Sequence, residues 1–160
     1  MTQNRGFDEA AAHRFFSADC FNRAWDLIEK GDRTPADDEE MVRLSQASLW
    51  HWTQRADCTS TNLAVGYWQA SRIHALLGHT EEARRYGRFS QEESRHSPPF
   101  CQAYAYEALA RAELAAGNEP LAATYRGEAL RLADGVTDPE DRKLLMDDLE
   151  TLLRAPATEA

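Results

Sequence analysis

The 160-residue chain has few cysteines, a deficit of basic residues and no long hydrophobic run. Its three cysteines are widely spaced and fit no CxxC pattern, which favours reduced thiols in a cytoplasm. Acidic residues outnumber lysine and arginine by 27 to 18, and the resulting net charge of −9 disfavours binding to nucleic acid or anionic membranes. No stretch nears the ~18 apolar residues of a spanning helix, and the first ten residues carry no apolar run of signal-peptide length. We therefore expect a soluble, cytoplasmic protein.

Recognisable catalytic motifs are also missing from the sequence. It contains no nucleophile elbow, no phosphate-cradling loop, no dinucleotide fingerprint and no HExxH motif. The five histidines are scattered, whereas zinc sites draw three or four ligands from a recognisable cluster. We therefore expect no enzyme, no cofactor and no metal. The alternative is a small-ligand or metal-dependent helical-bundle enzyme that uses His51, His74 and Glu107.

What the chain does contain is helical periodicity along nearly its whole length. Hydrophobic residues make up 42% and charged residues 28%, which is typical of a globular domain. Thr34, Thr80, Asn118 and Asp138 are placed as helix N-caps. The apolar spacing and the breaks predict seven helices, at about 8–30, 34–57, 61–77, 80–96, 98–116, 118–133 and 138–154.

The sequence also repeats itself between residues 64 and 133. Shifting the chain by 39 residues places Gly78 on Gly117, and the same register superposes five further identical pairs. These pairs are Ala64 with Ala103, Tyr67 with Tyr106, Arg72 with Arg111, Ala83 with Ala122, and Tyr86 with Tyr125. Each copy is predicted to be a helix, a break that holds the glycine, and a second helix, a unit typical of an α-solenoid.

At these residues the sequence resembles the tetratricopeptide repeat (TPR) family. The resemblance rests on the glycine followed five positions later by alanine, and on an aromatic residue early in each first helix. The period of 39 exceeds the usual value of about 34. The family's preferred glycine and tyrosine are also replaced, by Ser71 and His74 in one copy and by Ala110 and Glu113 in the other. The whole chain also resembles an uncharacterised bacterial group of TPR-like proteins, which implies no activity.

The resemblance implies an all-α fold, an α-solenoid of antiparallel helix hairpins closed by a terminal helix. We expect one domain over 1–154, with repeat units at about 8–57, 64–97 and 103–134, a capping helix at 138–154 and a disordered tail at 155–160. The capping helix is expected to cover the open end of the stack with the leucines Leu144, Leu145, Leu149 and Leu152/Leu153.

In that family the first helices of the repeats line a groove that binds peptides. The resemblance and the helical spacing both place Trp68, Arg72, Tyr104, Glu107 and Arg111 on one inner wall. Aromatic and arginine side chains suit recognition. An internal salt bridge is the other interpretation, because Glu107 and Arg111 are four residues apart and Arg72 could reach Glu107. We expect a protein or peptide interaction module, and self-association through an apolar face is a further outcome that the sequence leaves open.

Overall fold

Seven helices make up the described part of the chain in the computed structural model, which covers residues 6–154. In chain order they are α1 (Glu9–Glu29), α2 (Pro35–Thr53), α3 (Ser60–Leu76), α4 (Thr80–Glu93), α5 (Pro99–Ala115), α6 (Glu119–Ala133) and α7 (Pro139–Thr151). Residues 6–154 contain no strand, so the predicted all-α class is confirmed for them. The predicted tail at 155–160 lies outside the described residues. None of the seven helices is long and apolar enough to cross a membrane.

Two helices begin where the sequence predicts because their caps form. At the start of α2 the Thr34 hydroxyl accepts the Asp37 backbone N–H at 3.2 Å, and the Asp37 carboxylate accepts the Thr34 N–H at 2.8 Å. This reciprocal pair is a capping box, which satisfies two N–H groups that have no partner inside the helix. At the start of α7 the Asp138 carboxylate accepts two backbone N–H groups of the first turn.

Two other predicted caps do not form. Thr80 is the first residue of α4 rather than its cap, and the capping position belongs to His79, whose side chain makes no capping hydrogen bond. Asn118 does occupy the cap position of α6, but its side-chain amide donates to the Glu113 carboxylate at 3.1 Å instead. Both positions directly follow a glycine turn, so their geometry is set by the end of the preceding helix.

The two glycines of the repeat end their helices in the same way. Gly78 has φ of 75° and Gly117 has φ of 73°, a left-handed conformation that glycine adopts without steric cost. In both copies the next residue, His79 or Asn118, donates its backbone N–H at 2.8 Å to the carbonyl five residues earlier. This is the Schellman pattern of helix termination.

The repeated tyrosines also have matching surroundings, as the 39-residue register predicts. Tyr67 lies against Tyr86 with ring centroids 6.1 Å apart, and Tyr106 lies against Tyr125 with ring centroids 6.2 Å apart. In each copy the contact joins the first helix of the unit to the second. At these positions α3–α4 and α5–α6 therefore make the same kind of contact between their two helices.

Helices that are adjacent in the chain pack against one another, and α3 also contacts α5. The closest associations are α1 with α2, α3 with α4, and α5 with α6, while α7 lies on both α5 and α6. Two apolar clusters result. One, around α1 and α2, contains Cys20, Ala24, Met41, Leu44 and Ile73, and the other, around α5 to α7, includes Ala103, Ala110, Ala129, Ala133 and Leu145.

The terminal helix α7 covers the end of the α5–α6 pair with one of its faces. Leu145 and Leu149 are fully buried and Leu152 is 8% exposed. Leu144 is 55% exposed and Leu153 is 66% exposed, so the prediction that Leu144 also covers the stack is wrong. Consecutive helical residues point about 100° apart, which allows only one leucine of each adjacent pair to face the core.

Candidate functional site

Side chains from α1, α3, α5 and α7 surround a cavity of about 560 Å³, called here the aromatic cavity. Its walls are mostly apolar, and three charged side chains accompany them, Glu29, Arg72 and Asp148, together with the hydroxyl of Ser90. The volume falls in the range of small-ligand and side-chain pockets. The apolar walls come from Trp25 and Ile28 of α1, Val65 and Trp68 of α3, Phe100 and Tyr104 of α5, and Leu144 of α7.

Four aromatic rings form a continuous wall of this cavity. Trp25 lies 5.3 Å from Trp68 between ring centroids, Trp68 lies 5.2 Å from Tyr104, and Tyr104 lies 5.0 Å from Phe100. The last two contacts are edge-to-face, an arrangement that aromatic quadrupoles favour. Because each ring is held by its neighbour, the wall presents rigid apolar area at little entropic cost on binding.

The structure brings all five predicted groove residues together, but two of them lie behind the wall. Glu107 is fully buried, and its carboxylate accepts from Trp68 Nε1 at 2.9 Å and from Arg111 Nε at 2.7 Å. Arg111 also donates to the Thr151 hydroxyl of α7 at 2.9 Å. The Glu107–Arg111 pair thus makes the contacts of an internal salt bridge, while Trp68, Arg72 and Tyr104 line the cavity.

Arg72 is held much more loosely than its neighbour Arg111. Its nearest acceptor is Asp148 Oδ1, at 3.5 Å, and Glu107 Oε1 is 3.9 Å away. Its guanidinium carbon lies 5.1 Å from the centroid of the Trp25 ring and 5.8 Å from that of Trp68. A guanidinium carries five N–H donors, and within residues 6–154 only one of those of Arg72 makes a hydrogen bond, a long one, so Arg72 keeps donors for a ligand in the cavity.

Asp148 of α7 links that helix to the cavity wall. Its Oδ2 accepts the Tyr104 hydroxyl at 2.7 Å, and its Oδ1 faces Arg72. Burial, followed by the hydrogen bond to Asp148, raises the pKa of Tyr104 well above its ordinary value, so the phenol stays protonated and donates. Asp148 is therefore an oriented acceptor beside the donor Arg72, and a carboxylate has further lone pairs to offer.

The three residues of the alternative enzyme lie in three different neighbourhoods. His51 contacts His13, with 2.8 Å between their Nδ1 atoms, and His74 contacts His79, with 3.2 Å between theirs. Glu107 is bound to Trp68 and Arg111, as described above. Within residues 6–154 no three side chains of His, Cys, Asp or Glu converge as metal ligands would.

The two histidine pairs predict that the protein loses stability in mild acid. Burial and the neighbouring histidine lower the pKa of both His51 and His74 below the ordinary value of 6.5. The fold is therefore more stable when both imidazoles are neutral. This contribution to the free energy of unfolding is complete above pH 6.5, and it is lost as the pH falls from there through the folded-state pKa. We expect the melting temperature measured by circular dichroism to fall between pH 7.5 and pH 5.5.

A variant carrying His51→Gln and His74→Gln should show a weaker dependence on pH over that interval. His96→Gln, at an exposed histidine, is the matched control and should keep the slope of the parent protein. A double variant with an unchanged slope would show that other groups cause the acid sensitivity.

Sequence reasoning missed most of the residues that complete the cavity. Trp25 and Ile28 are three residues apart on α1, a helical spacing that shows a shared face but not which helix that face meets. Asp148 is one of several acidic residues in α7 and carries no distinguishing signal. Phe100 and Val65 share helical faces with Tyr104 and Trp68, and that signal could have found them.

Comparison of the chain with family models, with curated proteins and with solved structures gives no match in any of the three.

Proposed function

We propose that the chain is a peptide-binding interaction module, built as a short TPR-like solenoid of antiparallel helix hairpins. The identical glycine turns and tyrosine contacts of α3–α4 and α5–α6 support this architecture. In it α1, α3 and α5 are the first helices of successive hairpins, and α7 is the terminal cap. Three unpaired cysteines favour the cytoplasm as its place of action.

The observation that carries the proposal is the pairing of apolar walls with a donor and an acceptor 3.5 Å apart, Arg72 and Asp148. A peptide segment offers the complementary groups: a large apolar side chain, a backbone carbonyl and a backbone N–H. The side chain fills the aromatic cavity, the carbonyl accepts from Arg72, and the N–H donates to Asp148. Aromatic pockets with a few oriented polar groups are typical of binding hot spots.

Selection of peptides from a random display library on the immobilised protein tests this function. We expect the recovered sequences to share one large apolar residue and to bind through the aromatic cavity. Val65→Trp fills that cavity from an exposed position and should weaken the selected peptides by at least about tenfold. Leu76→Trp, at an exposed position of the same helix outside the cavity, is the matched control and should bind normally.

Arg72→Ala is the second variant of this experiment. It should weaken the same peptides without unfolding the domain, because Glu107 keeps its bonds to Arg111 and Trp68. A library that yields no sequence sensitive to Val65→Trp would contradict the proposed function. So would an Arg72→Ala variant that melts far below the parent protein but binds normally per folded molecule.

A further inference from the structure

The charges around the aromatic cavity identify the chemistry of the partner. One cation, Arg72, lines the cavity, together with the carboxylates of Glu29 and Asp148. Asp141 of α7 is a third carboxylate near it, because it precedes the cavity residues Leu144 and Asp148 by three and seven residues and therefore shares their face of the helix. The carboxylates at the cavity therefore outnumber the cation that lines it, and the Glu107–Arg111 pair behind the wall adds no net charge.

Two of these carboxylates have no cationic partner within the described residues. Glu29 and Asp141 take part in none of the ion pairs found there, and both side chains are exposed. The cations closest to them in sequence are already engaged. Lys30 pairs with Asp37 at 2.8 Å, Arg142 pairs with Asp134 at 3.5 Å, and Lys143 pairs with Asp147.

The overall charge of the protein also favours a cationic partner. A second copy of this chain fits poorly, since each copy carries a net charge of −9. An acidic or phosphorylated segment would meet the same repulsion.

We propose that the partner is a cationic peptide segment in which lysine or arginine flanks a large apolar side chain. This inference rests on the proposed function. The apolar side chain enters the aromatic cavity, and the flanking cations lie over Glu29 on the α1 side and Asp141 on the α7 side. The two carboxylates stand on different helices, α1 and α7, which both contribute to the cavity, so each can pair with one of the flanking cations.

Four dye-labelled nonapeptides in a glycine–serine background test the inference by fluorescence anisotropy. Three have a central tryptophan flanked on each side by two lysines, two glutamines or two glutamates, and the fourth has lysine flanks with a central alanine. We expect the lysine–tryptophan peptide to bind about tenfold tighter than the glutamine–tryptophan peptide, and the preference to shrink as salt is raised. The glutamate and alanine peptides should bind more weakly still.

Two double variants of the protein each remove two negative charges, one at the aromatic cavity and the other outside it. Glu29→Gln combined with Asp141→Asn should abolish most of the preference for lysine flanks. Glu92→Gln combined with Glu119→Gln, at exposed carboxylates outside the aromatic cavity, should preserve it. All four positions are exposed, and the thermal melts of both variants should match that of the parent protein.

The outcomes separate this inference from the proposed function. Equal binding of the glutamine- and lysine-flanked peptides, still blocked by Val65→Trp, would overturn the cationic partner and leave the peptide-binding module standing. Failure of every tryptophan peptide to bind would overturn both. Tryptamine, added as a free aromatic amine, should bind far more weakly than the lysine–tryptophan peptide, and equal affinity would overturn the assignment to a peptide segment.

Discussion

Replacing Glu107 by alanine is expected to lower the free energy of unfolding by about 3 to 5 kcal/mol. The side chain is fully buried and accepts hydrogen bonds from Trp68 and Arg111. Its loss leaves the Arg111 guanidinium in a partly dry site without its carboxylate and the Trp68 N–H without an acceptor. Unpaired buried polar groups of this kind carry their full desolvation cost. Urea denaturation followed by circular dichroism measures the effect.

Two further variants show which interactions of Glu107 account for the lower free energy of unfolding. Glu107→Gln keeps a carbonyl oxygen for the Trp68 N–H but removes the charge that neutralises Arg111, so it should be destabilised less than Glu107→Ala. Glu128→Gln breaks an exposed pair with Arg131 on α6 and should shift the urea midpoint little, because water already screens that pair. If Glu107→Ala shifts the urea midpoint as little as Glu128→Gln does, the buried network does not stabilise the fold.

The Glu107 network also explains why the sequence could predict part of the site. Trp68 and Glu107 are separated by 39 residues, which is the period of the repeat, and they form a hydrogen bond. Residues at equivalent positions of stacked units lie side by side, so one register brings the first helices together. The starts of two helices could also be predicted from the sequence. The Thr34 and Asp138 caps depend only on a few neighbouring residues of the chain.

The rest of the site depends on contacts that no local pattern encodes. Trp25 belongs to α1, outside the detectable repeat, and its place beside Trp68 is set by how the first helix packs on the third. Asp148 joins the site because α7 lies across α5, where it meets Tyr104. Phe16 shows the same limit: it lies four residues before the buried Cys20, yet it is 41% exposed, although its ring lies 5.4 Å from that of His51 on α2.

The burial of Glu107 could not be inferred from its spacing either. A charged residue beside aromatics on a helix fits an exposed groove as well as a buried ion pair. Only the three-dimensional arrangement shows that Arg111 and Trp68 satisfy the carboxylate from both sides. Tertiary packing therefore decides that Glu107 and Arg111 form a buried pair while Arg72 lines the cavity.

The second large effect on stability is expected from substitutions in the terminal helix α7. Leu145→Ala and Leu149→Ala are each expected to lower the free energy of unfolding by about 2 to 5 kcal/mol. Both side chains are fully buried in the apolar cluster around α5 to α7, so truncation removes buried apolar area and leaves a cavity. Because α7 also holds Asp148 and Thr151 against Tyr104 and Arg111, peptide binding should be lost together with the fold as these variants unfold.

Leu144→Ala is the matched control for these two variants, since it removes the same atoms one residue away on the same helix. Leu144 is 55% exposed and lines the aromatic cavity, so its truncation should leave the urea midpoint nearly unchanged while lowering affinity for the lysine–tryptophan peptide. At a low temperature, where most molecules remain folded, Leu145→Ala should lower the urea midpoint and leave the peptide affinity per folded molecule near normal. If all three variants lose stability equally, α7 does not cover the stack through one face, and its assignment as a terminal cap is wrong.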